Sequence, residues 1–404
     1  MGNLKTMETL STDIKKLTYH DEAPTKTLDT IADAMALEFK PAKKSLKLIV
    51  TVPAHNEEAD IPACLKALAD QEVMVGTKID YESYEVIVLC HNCSDRTMLR
   101  CKEIQYNYPF LNLLILEVNR PEVNNVGAVR RIGMRIAASR LTDDSGYITT
   151  TDADTITDRH YIANLLGYLG SGYGLICGRI NIDMTDISGN AEKTLIHKQS
   201  YFVLRTRLEH LISPDKKNPW PRHSHNSGPN LSIRRDVYNK IGGMPPKGFL
   251  EDIALYDAVC ESGYAIRHCP FTIVTTSGRM EPRAPWGFGS ELKDWSEAES
   301  IFFKVEGLKR LLAKFGIFRR VREYFQSPSK EIIEAISKES KISMATVIGY
   351  FIEFSNPGPV INRIDRQLDN LKSWNEKYPL KLVHIAEREL QDYFDNPSFN
   401  FSQI

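Results

Sequence analysis

The chain has 404 residues, with 51 lysines and arginines against 52 aspartates and glutamates, so a net charge of −1 gives no electrostatic reason to expect a nucleic-acid partner. Hydrophobic residues make up 42%, an ordinary value for a globular protein, no apolar run reaches the length of a membrane span, and the start lacks the apolar stretch of a secretory signal. Seven cysteines, odd in number and sparse, do not form a disulfide framework and point to a reducing, cytoplasmic setting.

Residues 1–44 are polar, hold a helix-like piece at Leu28–Leu37 and carry no chemical motif. Leu46–Val52 is the first predicted strand, ended by Pro53, and Ile61–Leu68 reads as a helix. Tyr84–Leu89 predicts a second strand, followed by a polar turn and a helix from Arg96 to Ile104. Cys90 and Cys93 have C-x-x-C spacing, but no second pair follows at zinc-finger distance, and they read as two buried thiols. Leu113–Val118 is a third strand, Val126–Ser139 has helical spacing, and Tyr147–Thr151 is a fourth strand. Strands separated by helices of this length imply an α/β fold, a mostly parallel, Rossmann-like sheet flanked by helices. Ligands of such sheets bind at the carboxyl ends of the strands. The polar residues gather there: His55-Asn56-Glu57-Glu58 after the first strand, His91-Asn92-Cys93-Ser94-Asp95 after the second, and Asp152 and Asp154 after the fourth.

Asp152 and Asp154 stand one residue apart, so a strand running out into its loop can point both carboxylates into one pocket. Mg²⁺ or Mn²⁺ is commonly bound by one or two carboxylates plus substrate phosphates, which suggests a nucleoside-diphosphate substrate. The same pattern also occurs on solvated loops. A nicotinamide-binding domain would need a glycine-rich turn after the first strand, and Pro53-Ala54-His55-Asn56-Glu57-Glu58 has no glycine. A G-x-x-x-x-G-K-[ST] loop is also missing.

Four segments in this order, Val52–Glu58, Val86–Thr97, Gly127–Asp154 and Gly248–Gly263, resemble the family 2 glycosyltransferases of the GT-A fold. The resemblance implies a nucleotide-diphosphate-sugar donor, Mg²⁺ or Mn²⁺ as cofactor, and transfer of a sugar to an acceptor hydroxyl, with inversion expected. It places Pro53, Ala54, Asn56 and Glu57 at the nucleotide, where a helix entry favouring acids is the plainer reading. Asn92 stands where the family often has an aspartate contacting the base, and Asp95 reads as a helix cap. Gly127 and Arg130 match the glycine-then-arginine helix that faces the diphosphate, whereas Arg131 reads as an ordinary surface residue. By resemblance Asp152 meets the ribose or the metal through water and Asp154 binds the metal directly. Asp252 matches the family's general base and Glu251 its positioning partner, although two acids also suit a helix start. A third metal ligand, often a histidine in relatives, is missing after Phe271–Arg279, so water would complete the shell or Arg279 would meet the phosphates.

The loop Trp220–Asn230 is dense in hydroxyl-binding groups, and Trp220, His223, His225 and Asn226 are candidates for the acceptor. The acceptor itself stays open between a saccharide, a lipid-linked molecule and a small molecule. Residues 301–325 set Leu308, Leu311, Leu312 and Phe315 on one helical face with Lys309, Arg310, Lys314, Arg319, Arg320 and Arg322 around it. Such a helix either packs on the protein with a solvated outer face, the favoured reading, or lies peripherally on an anionic membrane at its inner surface. The expected organisation is an N-terminal extension at 1–44, a GT-A catalytic domain at 45–283 and a helical region at 284–404. The competing functions are a non-catalytic nucleotide-binding protein of the same fold and a nucleotidyltransferase.

Overall fold

A computed structural model describes residues 24–280 and 287–396. Along the chain it builds α1 (Thr25–Ala36), β1 (Leu48–Ala54), α2 (Ile61–Ala69), β2 (Glu72–Met74), β3 (Thr77–Lys78), β4 (Tyr84–His91), α3 (Thr97–Asn107), β5 (Leu113–Val118) and α4 (Val126–Arg140). There follow β6 (Tyr147–Thr150), β7 (Thr155–Thr157), α5 (Tyr161–Leu166), β8 (Leu175–Ile182), α6 (Gly189–Ile212), β9 (Leu231–Arg234), α7 (Arg235–Lys240), α8 (Glu251–Glu261) and β10 (Ile266–Thr276). The remainder is α9 (Phe288–Glu297), β11 (Lys304–Glu306), α10 (Leu308–Gln326), α11 (Lys330–Ser340), α12 (Met344–Glu353), α13 (Pro357–Asn370), α14 (Lys372–Lys377), β12 (Leu380–Leu382) and α15 (Val383–Asp395).

One sheet carries the order β5-β4-β1-β6-β9-β8-β10-β7. Its β5, β4, β1 and β6 are parallel, as the alternation of strands and helices predicted, and β9 then joins β6 and β8 antiparallel. β1 and β4 are almost continuously apolar because both of their faces are covered. Pro53 does not end β1. The neighbouring β6 stops at Thr150, opposite Thr51, so beyond that point β1 pairs only with β4 and tolerates a proline on its open side.

The chain divides into two compact units. The first holds the described residues up to Ile182 with His225–Ala258 and Phe271–Ser277, and the second holds Asp183–Ser224, Val259–Pro270 and the described residues from Gly278. In the first unit, α4 opens on Asn125, whose side chain accepts from the Ala128 amide at 2.9 Å, and is buried along most of its length. The helix-like N-terminal piece is α1, which packs Leu28, Ile31 and Ala32 onto α4. Arg131 is not on the surface. It is buried, donating to Asp29 of α1 and to the carbonyls of Gly242 and Met244.

The second unit has its own core, in which Leu311, Phe315, Phe318 and Val321 of α10 meet Tyr201 and Leu208 of α6 and Leu390 of α15. The basic residues of α10 do not all face outward as expected. Arg310 and Lys314 turn inward, where Lys314 meets Glu306 at 2.5 Å and Arg310 meets it at 3.1 Å, while Arg320 pairs with Glu339 and Arg322 with Asp215. A helix so neutralised behaves as the packed reading describes. Among the described residues no helix is long and apolar enough to cross a membrane.

Burial would raise the Glu306 carboxyl, but Lys314, Arg205 and Arg310 outweigh it and hold the group down to about 2. Asp365, which shares Lys314, is instead pushed up by burial. A depressed carboxyl contributes stability that is present above its unfolded value, 4.5, and is lost as pH falls toward 2. Glu306→Gln should therefore lower the unfolding free energy at pH 7 by about 3–5 kcal/mol, because buried cations lose their partner. In denaturant melts the gap between wild type and variant should shrink as pH falls through that window; a gap independent of pH would remove Glu306 as the anion of the cluster.

Candidate active site

Because β4, β1 and β6 run parallel side by side, their carboxyl ends place His91-Asn92, His55-Asn56 and Asp152 along one edge of the sheet. Asn56 and Asn92 both turn the chain through left-handed backbone, at φ 53° and 45°, a conformation asparagine tolerates better than most residues. Their side chains knit the loops together. Asn56 Oδ1 accepts from the Ser94 amide at 2.8 Å, and Asn92 Nδ2 donates to Val123 O at 2.8 Å. Glu57 is buried at the mouth of α2, its amide donating to Thr97 Oγ1 at 2.7 Å. Asp95 accepts from Thr97 N at 2.9 Å and from Glu58 N at 3.0 Å, one residue ahead of Arg96 at the N-cap of α3. Pro53 and Ala54 close β1 directly below this edge.

Arg130 lies behind the edge and only 4% exposed. Its guanidinium donates to Asp152 Oδ1 at 2.5 Å, Glu251 Oε1 at 3.0 Å, Thr150 Oγ1 at 2.6 Å and Gly228 O at 3.1 Å. In the ligand-free protein these donors hold the acids of two separate motifs. Gly127 is a second point of close packing. A Cβ there would lie 2.1 Å from Lys247 O, so the missing side chain admits the loop before α8.

Gly228 is the counterpart of this close packing. A Cβ on it would lie 2.5 Å from Arg130 Nη2, and its amide donates to Asp252 Oδ2 at 2.8 Å. The other oxygen of Asp252 accepts from the Ile253 amide at 2.7 Å, as an acid opening a helix does. Burial pushes the Glu251 carboxyl up to about 7, against the lowering pull of Arg130 and with a further upward push from Asp252. Burial disfavours the charged form of Arg130, but Asp152, Glu251 and Asp252 outweigh it, so the guanidinium stays a cation.

Asp154 sits one turn past Asp152, with the hydroxyls of Thr155 and Thr276 each 3.4 Å from Oδ1. Among the described residues no cluster of three or more His, Cys, Asp or Glu could hold a metal by itself. Hard carboxylate oxygens numbering one or two do fit Mg²⁺ or Mn²⁺ when phosphates and water supply the rest of the shell.

The loop candidates divide between the units. In the first unit His225 Nδ1 accepts from the Ile180 amide at 2.9 Å, and half-buried Asn226 lies just before Gly228. In the second, Trp220 is 40% exposed and stacks on His210 with centroids 6.0 Å apart, while His223 Nε2 donates to Cys269 O at 3.0 Å.

Residues 49–242 match the family model described as glycosyl transferase family 2. These residues are a family 2 glycosyltransferase domain. The chain is 28% identical over 294 residues to the probable glycosyltransferase YdaM of Bacillus subtilis (strain 168), a match covering 70% of this chain and 63%, less than two thirds, of that relative's length. Two solved structures similar to it are a mannosyltransferase of Pyrobaculum calidifontis in complex with GDP-Man and Mn²⁺ (13% identity, TM-score 0.41, 91% of this chain and 97% of that one) and S. aureus TarS 1–349 in complex with UDP (13% identity, TM-score 0.40, 88% of this chain and 93% of that one). The glycosyltransferase segment ends at 242. It therefore includes Arg130, Asp152 and Gly228 but leaves out Glu251 and Asp252, which reach the same cluster only through the fold.

Sequence reasoning missed Thr150, Gly228, Asp29 and the inward turn of Arg131. Gly228 had a signal, a glycine beside Pro229 in a loop already singled out, whereas Asp29 sits in a polar helix with nothing to mark it.

If Arg130 is the shared cation of this cluster, Arg130→Ala should lower the stability of the ligand-free protein by about 3–5 kcal/mol, since buried Glu251 and half-buried Asp152 lose their partner. Chemical denaturation without nucleotide measures this. Unchanged ligand-free stability would return Arg130 to the ligand side of the pocket.

Proposed function

We propose that the protein is a metal-dependent glycosyltransferase that moves a sugar from a nucleoside-diphosphate sugar to an acceptor hydroxyl with inversion. The observation that carries this reading is the single buried guanidinium that brings Asp152 of the D-x-D turn and Glu251 of the E-D pair together, with Asp252 oriented beside them by Gly228. In this reading the nucleotide lies across the strand ends, against Pro53, Ala54, Asn56, Glu57 and Asn92, with Asp152 at its ribose side. Asp154, with Asp152, would hold Mg²⁺ or Mn²⁺, which when bound supplies positive charge to the leaving diphosphate.

Asp252 is the proposed base. It accepts the proton of the acceptor hydroxyl as that oxygen bonds to the anomeric carbon and the bond from that carbon to the diphosphate oxygen breaks, and one displacement requires one base. Two backbone amides orient the carboxylate, and each oxygen keeps a second lone pair for the incoming proton. Glu251 and Arg130 hold the base's helix in place. The catalytic part is proposed to span 45–283, with Trp220, His223, His225 and Asn226 as acceptor candidates, the acceptor being a saccharide, a lipid-linked molecule or a small molecule.

Asp252→Asn preserves shape and removes proton acceptance, so donor affinity should stay within a few-fold while turnover falls by roughly 10²- to 10⁴-fold. Product formation paired with donor titration checks it, and near-wild-type transfer would sink the mechanism. Asp154→Ala should abolish the Mn²⁺- or Mg²⁺-dependent part of donor binding by calorimetry. Unchanged metal-dependent affinity would reject that ligand. A wild type that binds nucleotide but transfers no sugar from any donor would favour a non-catalytic binding protein.

A further inference from the structure

Helix α1 lies outside the segment matched to the family, yet it is tied to the loop that leads into Glu251 and Asp252. Asp29 on α1 receives two of the three nitrogens of Arg131, Nε to Oδ1 at 2.7 Å and Nη2 to Oδ2 at 2.9 Å. The remaining arm, Nη1, donates to Gly242 O at 3.0 Å and to Met244 O at 2.7 Å. Gly242 and Gly243 carry left-handed φ of 84° and 85°, and a Cβ on Gly243 would come 3.2 Å from Arg131 Nη1. Eight residues on, the loop ends at Leu250, whose φ of 58° is left-handed for a residue that disfavours it, immediately before Glu251. A strained end of this kind persists only if the rest of the loop is held from outside, and the holding groups are Lys247 packed on Gly127 and the carbonyls gripped by Arg131.

We propose that α1 is a positioning strap: Asp29, acting through Arg131, fixes the backbone from Gly242 to Leu250 and with it the aim of Glu251 and Asp252. This inference rests on the reading of α8's first residues as the catalytic acids. Asp29 and Arg131 touch no reacting atom and are positioning residues. The guanidinium is needed because its planar fork serves a carboxylate and two carbonyls at once, which an ammonium cannot do.

The same two helices carry a built-in control. Arg135 of α4 makes a paired contact with Asp33 of α1, Nε to Oδ1 and Nη2 to Oδ2 at 2.8 Å each, and its Nη1 lies 3.5 Å from Asp29 Oδ2, in an exposed setting that reaches none of the loop carbonyls. Asp29→Asn and Asp33→Asn each weaken the attachment of α1, but only the first loosens the loop. In the strap reading Asp29→Asn lowers kcat roughly 10- to 100-fold with donor KM within about 2-fold, as a misaimed base would, and Asp33→Asn leaves both unchanged. Amide hydrogen exchange of the ligand-free protein should run at least about 10-fold faster over 242–252 in Asp29→Asn alone, while β1 and β4 stay as protected as in wild type. Equal effects of the two variants, or unaltered exchange over 242–252 in Asp29→Asn, would overturn the strap. If wild type transfers no sugar, the functional reading fails and the exchange measurement still decides the strap. Should Asp29→Asn not fold, Arg131→Lys, which keeps the charge and loses the fork, takes the same readouts with the same expected outcomes.

Discussion

One cation inside the first unit organises the candidate site. A carboxylate removed from water is costly unless a charge and hydrogen bonds replace its solvation, and Arg130 does this for Asp152 and Glu251 together while lying close to Asp252. Its contacts to Thr150 and Gly228 leave the fork little choice of direction. Remove that guanidinium and two acids lose their common partner. Burial pushes the Glu251 carboxyl up, and Arg130, whose charge also serves Asp152, offsets this only in part.

Close approach of backbone is the second constraint, and it is met by leaving side chains out. Gly127 makes room for Lys247, Gly228 for the guanidinium, and Gly178 for the amide of Asn230, which in turn donates to Arg179 O and Thr272 O. Each lies where an ordinary side chain would drive apart two segments distant in the chain. The strand-end asparagines work in the complementary way, accepting left-handed backbone and then using their amides to pin one loop to the next. The second unit shows the same economy of charge in another form, with Glu306 surrounded by Lys314, Arg310 and Arg205 so that a basic helix lies in a core of its own.

Much of this was legible beforehand. The parallel core was readable because strands buried on both faces must be runs of apolar residues, and Leu113–Val118 and Tyr147 onward fell where expected. The helix at Val126 was marked by its spacing and the one at Glu251 by its two acids. Pro53 misled, since a proline ends a strand only where both sides are paired, and that depended on how far β6 runs. Arg131 misled for a related reason. Adjacent residues on a helix point in different directions, but whether the second direction meets solvent depends on what covers it, here α1 and the turn at Gly242.

What the sequence determined by itself was local: periodicity, caps, the D-x-D and E-D pairs, and the placing of polar residues at strand ends, all of which follow from rules acting over a few residues. What only the tertiary structure decided was which distant groups share a charge. Arg130 lies 121 positions from Glu251, and Arg131 lies 102 from Asp29. Over such separations one guanidinium serves whichever acids the fold delivers to it, because in a dry interior the nearest opposite charge is chosen by packing and not by order in the chain.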